Sequence, residues 1–188
     1  MIRETKETRV DVEWTPRGTG QISVATGVGF LDHMLEQWAF HGGFDLRLRA
    51  EGDLGVDAHH TAEDAAIALG QAVDVALGGR AGLARFGWAY VPLEDALSRA
   101  VVDLARRPFC AFRAAPLPEM LGQLPGEMVG HVFRSLATAG RFTLHVDLLH
   151  GDNAHHRVES AFKAFGLAFA QAVRPEGEAA PSTKGTMG

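Results

Sequence analysis

Eight residues in two matching sets have the types and spacing to hold metal ions. The stretch "DAHHTAEDAAIALGQAV", residues 57–73, contains His59, His60 and Glu63 in the pattern His-His-x-x-Glu. Ninety-six positions later "NAHHRVESAFKAFGLAF", residues 153–169, repeats it as His155, His156 and Glu159. In an α-helix, residues four apart share a face while neighbours diverge by about 100°. His59 with Glu63, and His155 with Glu159, can each grip one ion together, so His60 and His156 project elsewhere and serve a second ion. Two further histidines occupy matching places: His33 lies 26 residues before His59, and His131 lies 24 before His155. Six imidazoles and two carboxylates divide into two sites of three imidazoles and one carboxylate. That donor set suits Mn, Fe, Co or Zn, whereas calcium and magnesium prefer oxygen shells. Four donors on an ion that can take six leave two positions open, which is the arrangement of a catalytic centre. His41, His145 and His150 lack such pairing, and His145, inside an apolar strand, reads as structural.

The elements that must position these residues also repeat. "TRVDVEW" and "QISVAT" alternate polar and apolar residues on either side of the turn-forming "TPRGTG", which predicts a β-hairpin. "FLDHMLEQWAFHGG" carries apolar residues at helical spacing and stops on two glycines. "FDLRLRAEG" alternates as a strand with Phe44, Leu46 and Leu48 on one face, and Asp57 is placed to cap a helix over 58–77. The second half follows the same order: strand-like segments in "WAYVPLEDALSRAVVDLARRPFCAFRA", a helix in "VGHVFRSLATAG", a strand in "RFTLHVDLLHG" and a helix over 154–173. Each half thus reads as a split β-α-β unit, an α+β fold with helices on one face of a mixed sheet. The halves run over about 1–88 and 89–176, followed by a Pro/Gly-rich tail, 177–188. Gly70/Gly166 and Ala65/Ala161 coincide in the repeat, as close-packed helices require.

Composition narrows the functional classes. A chain of 188 residues, nearly half apolar, buries one shared core, and a net charge of −5 without a long basic run argues against a nucleic-acid partner. No apolar run approaches the ~20 residues needed to cross a membrane, and "MIRETKETRV" is too charged for a signal peptide. The single Cys110 permits no internal disulfide, consistent with a reducing cytoplasm.

Four stretches in order, "GVGFLDHMLEQWAFHGGFDL", "DAHHTAEDAAIALGQA", "LHGDNAHHRVESAFKAF" and "PSTKG", closely resemble the imidazoleglycerol-phosphate dehydratases of histidine biosynthesis, over about residues 2–186. The resemblance implies two similar halves of the ribosomal protein S5 domain 2-like type, a homo-oligomeric shell of 24 subunits, and two Mn2+ per active site formed where subunits meet. By this similarity His33, His60, His155 and Glu159 hold one manganese, while His59, Glu63, His131 and His156 hold the other. Glu63 and Glu159 are thereby placed at the reaction centre. The implied reaction removes water from imidazole glycerol phosphate, giving an enol that becomes imidazole acetol phosphate. Ions on the substrate's imidazole help the ring expel the hydroxyl. The resemblance also makes Glu7 the movable acid or base and puts His41 near the substrate. Arg85, Arg107, Lys163 and the Ser182, Thr183, Lys184 stretch of the tail become contacts to the phosphate or substrate. Two departures stand out: Arg106 replaces a common glycine, so the choice of Arg107 rests on the "PF" that follows, and the helix around His131 differs from common versions. Some relatives carry a fused histidinol-phosphatase domain, for which this chain has no room.

Two other classes share the ligand set. A binuclear metallohydrolase acting on a small phosphate ester can also use two ions to activate water, but gives no reason for "PSTKG" to match. A metal-sequestering assembly predicts closed coordination and no effect of Glu7→Gln on turnover.

Overall fold

A computed structural model describes residues 1–177 and Ser182. The strict alternation of "TRVDVEWT" and "DLRLRAEG" becomes strands β2 (Thr8–Thr15) and β4 (Asp45–Gly52). Val10, Val12, Trp14, Leu46 and Leu48 are buried, while Arg9, Glu13, Arg47 and Arg49 line an exposed face. With β1 (Ile2–Glu4) and β3 (Ile22–Ala25) they form a four-stranded sheet in the order β1-β2-β4-β3. Helix α1 (Gly29–Gly42) joins β3 to β4, and α2 (His59–Leu77) follows β4.

The second half repeats this plan. Strands β5 (Phe86–Leu93), β6 (Ala96–Asp103), β7 (Phe109–Arg113) and β10 (Thr143–His150) form a sheet in the order β5-β6-β10-β7. Helices α3 (Gly126–Ala139) and α4 (Ala154–Ala172) take the places of α1 and α2. In both sheets one pair is parallel, β3 with β4 and β7 with β10, and the remaining pairs are antiparallel. A small hairpin of β8 (Met120–Leu121) and β9 (Leu124–Pro125) has no counterpart in the first half. The α+β class and the duplicated split β-α-β halves stand as expected.

The expected hairpin between "TRVDVEW" and "QISVAT" does not form, because β4 lies between β2 and β3. The turn residues bind the start of β4 instead. The Asp45 carboxylate accepts the N–H groups of Thr19, Gly20 and Gln21 at 2.7, 2.9 and 2.7 Å, and Gly18 N–H donates to Gly43 O. Those bonds hold the Asp45 carboxyl below its ordinary pKa, with Gln21 N–H the largest cause.

Each crossover helix runs antiparallel to the strands it joins, and the helices pair across the halves, α1 with α4 and α2 with α3. All four therefore run the same way, with their N-terminal ends gathered together. Trp38 of α1 stacks on Phe165 of α4 at 5.6 Å, and Trp14 meets Phe169 edge-on at 6.0 Å, so one aromatic core crosses both halves. Each such side chain contributes on the order of 1.5–3 kcal/mol. The repeated glycines mark the closest approaches: a Cβ at Gly166 would stand 2.5 Å from Trp38 O, and one at Gly70 would stand 2.6 Å from Leu136 O.

Candidate metal centres

The first turns of α2 and α4 carry the repeated motif, and each is fixed by a preceding side chain. Asn153 Oδ1 accepts the N–H groups of His155 and His156 at 2.9 and 3.3 Å. Asp57 Oδ1 accepts His59 N–H at 2.7 Å, although Ala58 occupies the capping position. These bonds satisfy amide groups that a helix start leaves unpaired.

Within one chain the structure brings the candidate ligands together three by three. His33 Nε2 and His155 Nε2 lie 3.3 and 2.9 Å from Glu159 Oε2. His131 Nε2 lies 2.8 Å from Glu63 Oε1, and the His59 and His131 rings are 5.2 Å apart. In each group the three donor atoms all lie within 4.8 Å of one another. Both groups take residues from both halves, because α1 packs on α4 and α2 on α3. Two imidazoles and a carboxylate converging at this distance fit a first-row divalent ion. The groups are not identical. Lys163 Nζ holds the second oxygen, Glu159 Oε1, at 2.8 Å, whereas Ile67 takes the matching place on α2. Burial pushes the Glu159 carboxyl up, but Lys163, His33 and His155 outweigh it and hold it below the ordinary value. His41, two turns along α1 from His33, is lowered by burial and then by the Lys163 charge, against Glu159.

The fourth histidine expected in each set stands apart from both groups. His60 Nδ1 lies 3.0 Å from Asp53 Oδ2 and 3.7 Å from Glu7 Oε2. His156 Nδ1 lies 2.8 Å from Asp95 Oδ1 and 3.9 Å from Glu94 Oε2. Both imidazoles are raised above their ordinary pKa, each chiefly by the hydrogen bond to its aspartate. Sequence reasoning missed Asp53 and Asp95. Neither repeats at the motif's spacing: Asp53 follows β4, and Asp95 sits in the β5–β6 turn, 61 residues from its histidine.

Glu7 stands beside His60 on the β1–β2 turn, and its side chain is 55% exposed. Asp64, the neighbour of Glu63, anchors that turn: it accepts Arg3 Nε at 2.8 Å and the hydroxyls of Thr5 and Thr8. In the second half Ser160 takes the place of Asp64 and meets Ser98 Oγ at 2.7 Å.

The candidate phosphate arginines sit at the other end of the molecule. Arg85 N–H donates to Ala172 O at 3.0 Å, at the C-terminus of α4. His155 lies seventeen residues earlier on the same helix, so the two are separated by about 25 Å. Phe86, Asp103, Thr143 and Phe109 form one row across the sheet, and Thr143 Oγ1 donates to Arg107 O at 3.0 Å, which puts Arg107 at the same end. The Arg85 guanidinium pairs with Asp103 at 2.8 Å and lies over the Phe86 ring. Arg106 is tied to Gly78 O and Asp74, whereas Arg107 is exposed. Ser182 is half-buried, while Thr183 and Lys184 lie outside the described residues.

Fold and site together define a duplicated α+β enzyme with paired histidine and carboxylate centres at the gathered ends of its helices. A family model described as imidazoleglycerol-phosphate dehydratase matches residues 26–169. The chain belongs to the imidazoleglycerol-phosphate dehydratase family and is a hydro-lyase. An imidazoleglycerol-phosphate dehydratase of Chloroflexus aurantiacus is 49% identical over 188 residues, covering 98% of this chain and 92% of its own. One from Pyricularia oryzae is 55% identical over 171 residues, covering 89% and 76%. The solved structure from Pyrococcus furiosus has a TM-score of 0.85 at 36% identity and covers 99% of each chain.

Proposed function

We propose that this chain dehydrates imidazole glycerol phosphate to imidazole acetol phosphate in histidine biosynthesis, using two manganese ions per active site shared between copies of itself. The observation that carries the sharing is the splitting of each ligand set: three donors converge within a chain, while the fourth imidazole is held elsewhere on an aspartate. A second copy supplies what each group lacks. His33, His155 and Glu159 with His60 of a second copy would hold one ion, and His59, Glu63 and His131 with His156 of a second copy would hold the other. Ions held there would supply Lewis-acid stabilisation of negative charge on the substrate's imidazole.

The chain's own residues do the rest. Glu7, exposed on an anchored turn, moves a proton between the substrate's C–H and the leaving hydroxyl. His41, close enough to Lys163 and Glu159 to feel their charges, faces the substrate. Lys163, Arg85, Arg107, Ser182, Thr183 and Lys184 take the phosphate and the substrate's polar groups. The arginines lie about 25 Å from the His155 end of their own chain, so they too belong to a site completed by another copy. That arrangement accords with a closed homo-oligomer of 24 subunits in the cytoplasm. No helix among the described residues is long and apolar enough to cross a membrane. The exposed Phe86, Trp88, Tyr90 and Phe109 on the outer face of the second sheet favour burial against further copies.

Purified protein with manganese is expected to convert imidazole glycerol phosphate to the ketone, followed by its absorbance in alkali. His60→Ala and His156→Ala should each lower turnover by a factor on the order of 10² or more. Release of inorganic phosphate in place of the ketone, or wild-type turnover by either variant, overturns this reading.

A further inference from the structure

Two carboxylates outside the three-donor groups hold the very rings those groups lack. In the groups themselves, His33, His131 and His155 all face their glutamates through Nε2. In His60 and His156 the nitrogen engaged is Nδ1, bonded to Asp53 and Asp95, which leaves Nε2 as the donor atom. A ligating histidine whose other nitrogen donates to a carboxylate has one fixed tautomer, one fixed ring orientation and greater basicity.

Asp95 has a second occupation, because its Oδ2 accepts the N–H groups of Asp152 and Asn153 at 2.6 and 2.9 Å and so shapes the entry to α4. Asp53 has none. Its side chain bonds only His60 among the described residues, and its Oδ1 is buried without a hydrogen-bond partner. A buried, unsatisfied carboxylate oxygen opposes folding, so packing gives no reason for an aspartate at this position. We infer that Asp53 is a positioning residue for His60, presenting its Nε2 to the ion of a neighbouring copy, and that Asp95 does the same for His156. This inference rests on the two-ion reading above.

Manganese titration of the assembled protein, read by calorimetry, separates the possibilities. Asp53→Ala is expected to leave one of the two ions at wild-type affinity and to weaken the other by about 10- to 100-fold, with Asp53→Glu restoring part of the loss. The ion affected should be the one weakened in His60→Ala, and the double variant should bind no more weakly than His60→Ala alone. Melting of the metal-free Asp53→Ala protein should stay within about 3 °C of wild type. Wild-type affinity for both ions in Asp53→Ala overturns the positioning role while leaving the two-ion reading intact. Losses that add to those of His60→Ala, or a metal-free protein that melts far lower, also overturn it by making Asp53 a structural residue. A wild-type protein that binds no manganese overturns both readings.

Discussion

Glu7 and Glu94 occupy the equivalent turns of the two halves, each close to the Nδ1 of a motif histidine, yet their surroundings differ. In the first half Asp53 takes the imidazole bond from outside the turn, and the Glu7 carboxylate stands 3.7 Å from the same ring. In the second half the turn supplies its own aspartate, Asp95. On the function proposed above, orienting the ligand and moving a proton would fall on the first side to two residues, Asp53 and Glu7. The raised pKa values of His60 and His156 give this site a pH signature. In metal-free protein the stability from the two pairs is complete below the unfolded value of about 6.5 and is lost as pH rises through the raised folded values. Manganese needs the unprotonated ring, so its contribution runs the other way. The rise in melting temperature on adding manganese is therefore expected to be larger at about pH 8 than at about pH 6, measured by differential scanning fluorimetry against a chelator control. An equal rise at both values counts against these histidines as ligands.

Among the elements, the helix pairs carry the geometry of the donor groups, and their glycines set the spacing. Gly166→Ala would place a methyl group 2.5 Å from Trp38 O and 3.0 Å from Gly42 N, both backbone atoms that cannot swing away. It is expected to cost about 1–3 kcal/mol in chemical denaturation, and Gly70→Ala a similar amount. Gly79→Ala, with nothing within 4 Å, serves as the neutral control. Much of this level was legible in the sequence. Helical spacing in "FLDHMLEQWAF", the double glycine after it and the repeat of Gly70 as Gly166 all describe contacts that the fold makes. Strand partners were not legible, since alternation in "TRVDVEW" and "QISVAT" reports one buried face and says nothing of which neighbour supplies the hydrogen bonds. The turn between them reads as a hairpin until Asp45, 24 residues beyond Gln21, is seen to hold it. Likewise the His/Glu pairs were legible because a helix sets four-residue contacts, whereas Asp53 and Asp95 meet their histidines through loops whose course no periodicity encodes.

For the whole molecule, the separation of each fourth histidine from its group has a direct consequence in mixed assemblies. If a site takes one motif from each of two copies, subunits with His60→Ala still carry an intact second motif, and subunits with His156→Ala an intact first. Unfolding the two inactive variants, mixing them equally and reassembling them should restore about a quarter of the wild-type sites. Separate reassembly of each variant is the control, and a mixture no more active than its parts would place each complete site within one chain.

The cross-half pairing of helices makes each donor group a joint product of the two halves. His33 meets Glu159 and Glu63 meets His131, so neither half alone assembles three donors, while two identical half-length chains related by a two-fold axis would form two identical groups at once. The stretch from Gly78 to Arg85 does covalently what such a two-fold contact would do between separate chains, keeping both contributors to each group in one molecule. Because the two contributors are joined, the groups need not be alike: Lys163 holds the carboxylate of one, and Ile67 stands at the matching place beside the other.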